Sequence, residues 1–149
     1  MLFCYFFSFF FPATLVYGQQ SEPLIFAERV FNEGNYKQAL PLLIALRDEY
    51  RAGSRHTNYS RVQIRLAEIM RAYGGIHHSV LQLRENENFI LDILSQDGII
   101  LAENCIAKAR SYLVLNNFDA MSHECRRAIS LLESAKQRTD LLATAYMLL

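Results

Sequence analysis

The chain predicts an all-α fold of antiparallel helical hairpins stacked into a solenoid of about six to seven helices. Three observations carry this reading. A small residue is followed seven positions later by a turn-former three times, Ala27 to Gly34, Ala67 to Gly74 and Ala109 to Asn116. Two positions past each turn-former stands an apolar residue (Tyr36, Ile76, Phe118), and nine positions past it another apolar or small one (Leu43, Leu83, Cys125). The turn-formers are 40 and then 42 residues apart (74 − 34, 116 − 74), inside the range of helical repeats. Repeats of this kind pack against their neighbours and leave a long surface open, so the architecture points to a binding scaffold and away from a catalyst.

Each element follows from local chemistry. Residues 1–18 hold six of the ten Phe residues and no charge. They read as a secretory signal peptide, with compact Val16 and Gly18 ahead of the polar Gln19-Gln20-Ser21-Glu22 and a cut after Gly18. No Lys or Arg precedes the apolar run, which keeps two rivals open: an uncleaved anchor of roughly 17 residues, at the short limit for a bilayer, and a misplaced start. Residues 19–149 form the repeat domain.

Its first helix, Pro23 to Glu33, starts at Ser21-Glu22-Pro23 and buries Ile25 or Phe26, Ala27, Val30 and Phe31 at helical spacing. Gly34-Asn35 ends it. The second, Tyr36 to Tyr50, buries Ala39, Leu40, Leu43 and Leu46, with Pro41 expected in the first turn, where its missing N–H does no harm. A polar linker, Ala52 to Asn58, leads to the third helix, Tyr59 to Tyr73, burying Val62, Leu66, Ile69, Met70 and Tyr73. Gly74-Gly75 stops it. The fourth, His77 to Ser95, points Val80, Leu83, Ile90, Leu91 and Leu94 inward, but Arg84 to Asn88 interrupts the stripe and predicts a bent or splayed helix. The fifth, Ile99 to Leu115, packs Leu101, Cys105, Ala109 and Tyr112, and the sixth, Phe118 to Lys136, packs Phe118, Met121, Cys125, Ala128, Ile129 and Leu132. Thr139-Asp140 caps a seventh helix whose residues 141–149 carry hardly a polar side chain. A terminal repeat needs a polar outer face; the expectation is an array truncated in mid-repeat, or self-association through this helix.

Composition narrows the function classes. The 149 residues suit one domain, and Lys plus Arg balance Asp plus Glu at 15 each, which gives no support to nucleic-acid binding. Membrane contact is expected only through an uncleaved leader or a missing C-terminal part. His77-His78, His56 and His123 lack metal-ligand spacing and an acidic companion, so no metal or other cofactor is expected. Cys105 and Cys125 stand nearly opposite across a hairpin, leaving open a disulfide or two buried thiols. Asn58-Tyr59-Ser60 fits a glycosylation acceptor in an exposed linker. A nucleotide loop, a Ser-His-Asp order and a carboxylate pair in a Gly-rich cleft are all missing, so no enzyme is expected.

The pattern resembles the tetratricopeptide repeat, a helix-turn-helix unit of about 34 residues. The first hairpin carries the resemblance best, through Ala27, Gly34-Asn35-Tyr36, Ala39, Leu43 and Leu46. The third follows with Ala109, Tyr112, Asn116-Asn117-Phe118 and Ala128, and the middle one with Ala67, Gly74, Ile76, Ser79 and Leu83. The resemblance spans residues 21–136 and implies a right-handed stack whose first helices line a concave groove. It implies as groove residues Glu28, Phe31 and Asn32, then Arg61, Ile64, Glu68 and Arg71, then Ile106, Arg110 and Leu113. Arg61, Arg71 and Arg110 would pair with the carboxylates of an acidic peptide, or else meet local partners such as Glu68, itself near Arg65. The expected function is an exported, periplasmic or extracellular scaffold that binds a peptide or helix of a partner protein. The alternative is the sensory front of a longer membrane signalling protein, a sensor kinase or transcription regulator; a redox role for Cys105 and Cys125 would need accessible thiols.

Overall fold

A computed structural model describes residues 22–94, 97–135 and 140–149. The leader, residues 1–18, and the Thr139 half of the last cap lie outside them. Among the described residues the regular structure is helical throughout, in seven helices with no strand: α1 Glu22–Asn32, α2 Tyr36–Ala52, α3 His56–Ala72, α4 Ile76–Ile93, α5 Gly98–Val114, α6 Phe118–Ser134 and α7 Asp140–Leu148.

The turns are built alike. Gly34, Gly74 and Asn116 all take the left-handed conformation, at φ 77°, 87° and 54°. In each, the next residue's N–H reaches back to a carbonyl five positions earlier: Asn35 to Val30 (3.2 Å), Gly75 to Met70 (2.8 Å) and Asn117 to Tyr112 (3.0 Å). This is the Schellman closure, which satisfies the carbonyls that a helix end leaves open. The expected long linker is instead a fourth copy of the same turn, with Ser54 at φ 53° and the Arg55 N–H on Tyr50 O at 3.0 Å. Hence α3 begins at His56, Asn58 sits half-buried in its first turn, and Ser60 is fully buried, so the glycosylation triplet lies in a helix and not in an exposed linker. Asn35 and Asn117 cap the following helices by accepting from the N–H groups of Gln38 and Ala120.

Packing proceeds from neighbour to neighbour. Every helix packs on the next, and α1 with α3, α3 with α5 and α5 with α7 also meet, whereas the backbones of α2 and α4 stay apart. The core is correspondingly divided. One apolar cluster joins α1, α2 and α3 around Leu24, Ala27, Ala39, Leu43 and Tyr50, with Ala27 and Ala39 fully buried as small packing residues. The next joins α3, α4 and α5 (Ile64, Ala67, Leu83, Ile90, Ile100), and two more join α4 with α5 and α6, and α5 with α6 and α7.

Several expectations fail for reasons visible in this packing. Ile25 and Phe26 are both exposed because Leu24, Ala27 and Val30 form the buried stripe of α1. Met70, Tyr73, Leu91 and Phe118 are exposed as well, lying at helix ends or on faces that no neighbouring helix covers. Pro41 lies beyond the first turn of α2, inside the helix but on its exposed side. The Arg84–Asn88 stretch lies within α4, one unbroken helical span, and Asn86 and Glu87 find polar partners within the packing.

Candidate binding surface

Helices α1, α3 and α5 lie side by side, and their facing charges interlock. Arg65 stands at the centre: its Nε is 3.5 Å from Glu28 Oε1 of α1, and its Nη1 donates to Glu68 Oε2 at 3.2 Å. Its Nη2 is 3.7 Å from Glu103 Oε2 of α5. Arg110 of α5 returns to α3 by donating to Glu68 Oε1 at 2.5 Å, while Arg61 Nε lies 3.8 Å from Glu103 Oε1. The Arg110–Glu68 pair spans 42 residues and so does Arg61–Glu103 (103 − 61). Two pairs with one offset fix a parallel register between α3 and α5, equal to the Gly74–Asn116 spacing.

Burial sets the electrostatics here. Glu103 is pushed above the ordinary carboxylate range first by burial, an effect that Arg65 and Arg61 oppose and that Glu28 and Glu68 reinforce. Burial works against the charge of Arg65 too, but the surrounding carboxylates outweigh it and hold the guanidinium firmly ionised. Phe31 covers Arg65, its ring centroid 5.5 Å from the guanidinium carbon, and stacks on Tyr36 at 5.4 Å.

Of the groove residues implied by the resemblance, Glu28, Arg61, Glu68 and Arg110 join this lattice, and Phe31 roofs it. Arg71 takes part in none of these ion pairs; its Nε is buried without a hydrogen bond. Asn32 and Leu113 are exposed at the C-terminal ends of α1 and α5. Ile64 and Ile106 are corrected: at 1% and 2% exposure they belong to the core, facing neighbouring helices and not a groove. Glu103 and the central role of Arg65 escaped the sequence reading, although the repeat offset of 42 that links Glu68 to Arg110 also links Arg61 to Glu103.

A second polar cluster lies between α4, α5 and α6. Lys108, with 3% of its side chain exposed, donates at 2.6 Å to both Glu87 Oε2 and Glu124 Oε1. Arg127 closes the set on Glu87 Oε1. Beside it Asn86 donates to Asn104 Oδ1 at 3.0 Å and Asn104 to the Leu83 carbonyl at 3.0 Å, while Ser60 donates to Asn86 Oδ1 at 3.1 Å, joining α3, α4 and α5. The thiols of Cys105 and Cys125 are free, buried and in separate core clusters. Burial, and then Glu124, push the Cys105 thiol up to about 12, which leaves almost no thiolate at neutral pH.

On the opposite side of α3, the gap between α2 and α4 leaves an open furrow of about 330 Å³ lined by Leu40, Ile44, Leu66, Met70, Gln82 and Glu85 among others. His77, His78 and His123 are exposed, and His56 packs against Phe89 at 5.7 Å. Among the described residues no three His, Cys, Asp or Glu side chains converge as a metal site, and no helix is long and apolar enough to cross a membrane.

The chain matches no family model, no curated protein and no solved structure.

Proposed function

We propose that this chain is a tetratricopeptide-like binding scaffold, a right-handed stack of hairpins that holds an acidic segment of a partner protein along α1, α3 and α5. The observation that supports it best is the parallel register of these helices, with Glu28, Arg61, Arg65, Glu68, Glu103 and Arg110 paired among themselves and Arg71 outside these ion pairs. Arg71, part-exposed in the last turn of α3 and paired with no carboxylate among the described residues, offers a two-pronged contact to a partner carboxylate. Arg61 and Arg110 already hold Glu103 and Glu68, so their first duty is to keep α3 and α5 in register. The scaffold reading places the chain outside the cytoplasm, exported through residues 1–18; N-terminal sequencing of the secreted chain should then begin at Gln19.

The test is fluorescence anisotropy of an aspartate-rich peptide titrated with the chain. Arg71→Glu should weaken binding at least about tenfold while the helical circular dichroism persists. Equal affinity of the variant and the parent removes the groove reading. The outer side of α7, where Tyr146, Met147 and Leu149 are at least half exposed, favours a second reading. There α7 meets a second copy, or the remainder of a longer membrane signalling protein whose sensory front this would be.

A further inference from the structure

We infer that Glu103 is a proton gate on the α1–α3–α5 face: by taking up a proton it releases Arg61 and loosens Arg65, so that the face accepts an anionic segment in mildly acidic surroundings. The inference rests on the reading of that face as a binding surface and adds its regulation.

The geometry supplies each part. Glu103 is the carboxylate that engages Arg61, at 3.8 Å, and it is the most distant of the three around Arg65, at 3.7 Å against 3.5 and 3.2 Å for Glu28 and Glu68. Its Oε2 is buried and accepts no hydrogen bond. A carboxylate removed from water, with long ion pairs and no donor on one oxygen, is poorly compensated for its charge.

The surrounding charges are few and nameable. From α3 Glu103 meets Arg61, Arg65 and Glu68, and from α1 Glu28. Of the charges that α4 and α6 bring to α5, Glu87 and Glu124 hold Lys108, Arg127 pairs with Glu87 and Arg84 donates to Tyr112, and the Asp140 of α7 is exposed. Two like carboxylates and burial thus act together on Glu103, which gains a proton before an exposed glutamate does.

Protonation of Glu103 leaves Arg65 with Glu28 and Glu68 and leaves Arg61 with no carboxylate from this lattice. An anion arriving at Arg61 replaces the charge that Glu103 has given up. Proton and anion therefore bind with positive coupling, and the bound anion raises the proton affinity of Glu103 by the same factor. The working window lies below the raised pKa of Glu103 and above about pH 4, where a partner's aspartates still carry charge.

The probe is a peptide of cysteic acid residues, whose sulfonates stay ionised throughout. Its affinity for the full chain should rise about tenfold between about pH 7.5 and pH 5. Glu103→Gln should bind at the higher pH as the parent does at the lower, and should lose the pH dependence. A carbon-13 titration of the Glu103 carboxyl, absent from the variant, should report protonation above the range of the exposed glutamates and shift upward on adding the peptide. The gate is overturned if the variant keeps the parent's pH slope, or if Glu103 titrates with the exposed glutamates. Binding that is tight and independent of pH in both proteins overturns the gate and leaves the scaffold standing; no binding at any pH by well-folded protein overturns both.

Discussion

Lys108 shows what a buried charge demands of its neighbours. Two carboxylates at 2.6 Å hold its ammonium, and Glu87 in turn holds Arg127. Lys108→Ala should therefore cost about 3–5 kcal/mol, because it leaves Glu87 and Glu124 facing each other without the cation between them; urea unfolding measures this. Its pH dependence has a definite sign. Burial opposes ionisation of Glu87, but the hydrogen bonds from Lys108 and Arg127 win and lower its pKa below 4.5. Its contribution is thus present above the unfolded carboxylate pKa and is lost as pH falls through the lower, folded one. Lys108, raised above 10.5 by Glu124 and Glu87 against its burial, contributes fully below its unfolded pKa and loses its contribution as pH rises through the folded one. Glu103 runs the other way: its raised pKa makes the charged form destabilising at neutral pH, and acidification through that pKa stabilises the fold. Urea midpoints of Glu103→Gln should consequently equal or exceed the parent's at neutral pH, with the difference closing on mild acidification. The two thiols should resist alkylation until the protein unfolds, since burial raises both; rapid labelling of the native chain would contradict this burial.

At the scale of the element, the helices are bounded by one repeated device. Gly34 and Gly74 have open space where a Cβ would stand, so their requirement is conformational and not steric crowding. Gly34→Ala and Gly74→Ala should each lower stability by about 1 kcal/mol, the penalty of a left-handed alanine. Ser54→Gly and Asn116→Gly should raise it by roughly 0.5–1 kcal/mol, since those residues hold the same conformation with a side chain attached. Opposite signs at equivalent turns, read from denaturation midpoints, test the equivalence itself. The helix faces were legible where apolar residues set them, as in α6 from Met121 through Leu132. They were misread in α4, because the periodicity rule treats Asn86 and Glu87 as interruptions while the packed helices use them as polar contacts, Asn86 buried and Glu87 partly so.

Across the whole molecule, backbone contacts among the described residues run between consecutive helices and between alternate odd ones, and the Glu87–Arg127 pair adds a side-chain link from α4 to α6. Helix α5 touches α3, α4, α6 and α7 and has eleven buried residues, while α7 has one. Native-state hydrogen exchange should accordingly be slowest in α5 and fastest in α1 and α7, each of which meets only two other helices among the described residues. Uniform protection along the chain would show that it unfolds as a single unit. The exposed apolar side of α7 also makes a prediction: if it seats a second copy, Met147→Glu should convert a concentration-dependent species into a monomer in sedimentation velocity.

The amino-acid sequence by itself determined the turns at Gly34, Gly74 and Asn116 and which small residues let the arms of a hairpin approach, but not the turn at Ser54. Those properties depend on neighbours within one or two turns: an apolar period, an Asn cap, a residue that tolerates positive φ. The tertiary structure alone decided which polar residues are buried and which charges belong together. Arg110 meets Glu68 from 42 residues away, Lys108 meets Glu124 from 16, and Asn86 meets Ser60 from 26. A polar side chain read alone has solvent as its natural surroundings; only the arrival of a distant partner of opposite charge or matching hydrogen bonds makes its burial tolerable. For that reason the apolar framework could be read along the chain, and the charged lattice on the α1–α3–α5 face became readable only after those helices had been placed side by side.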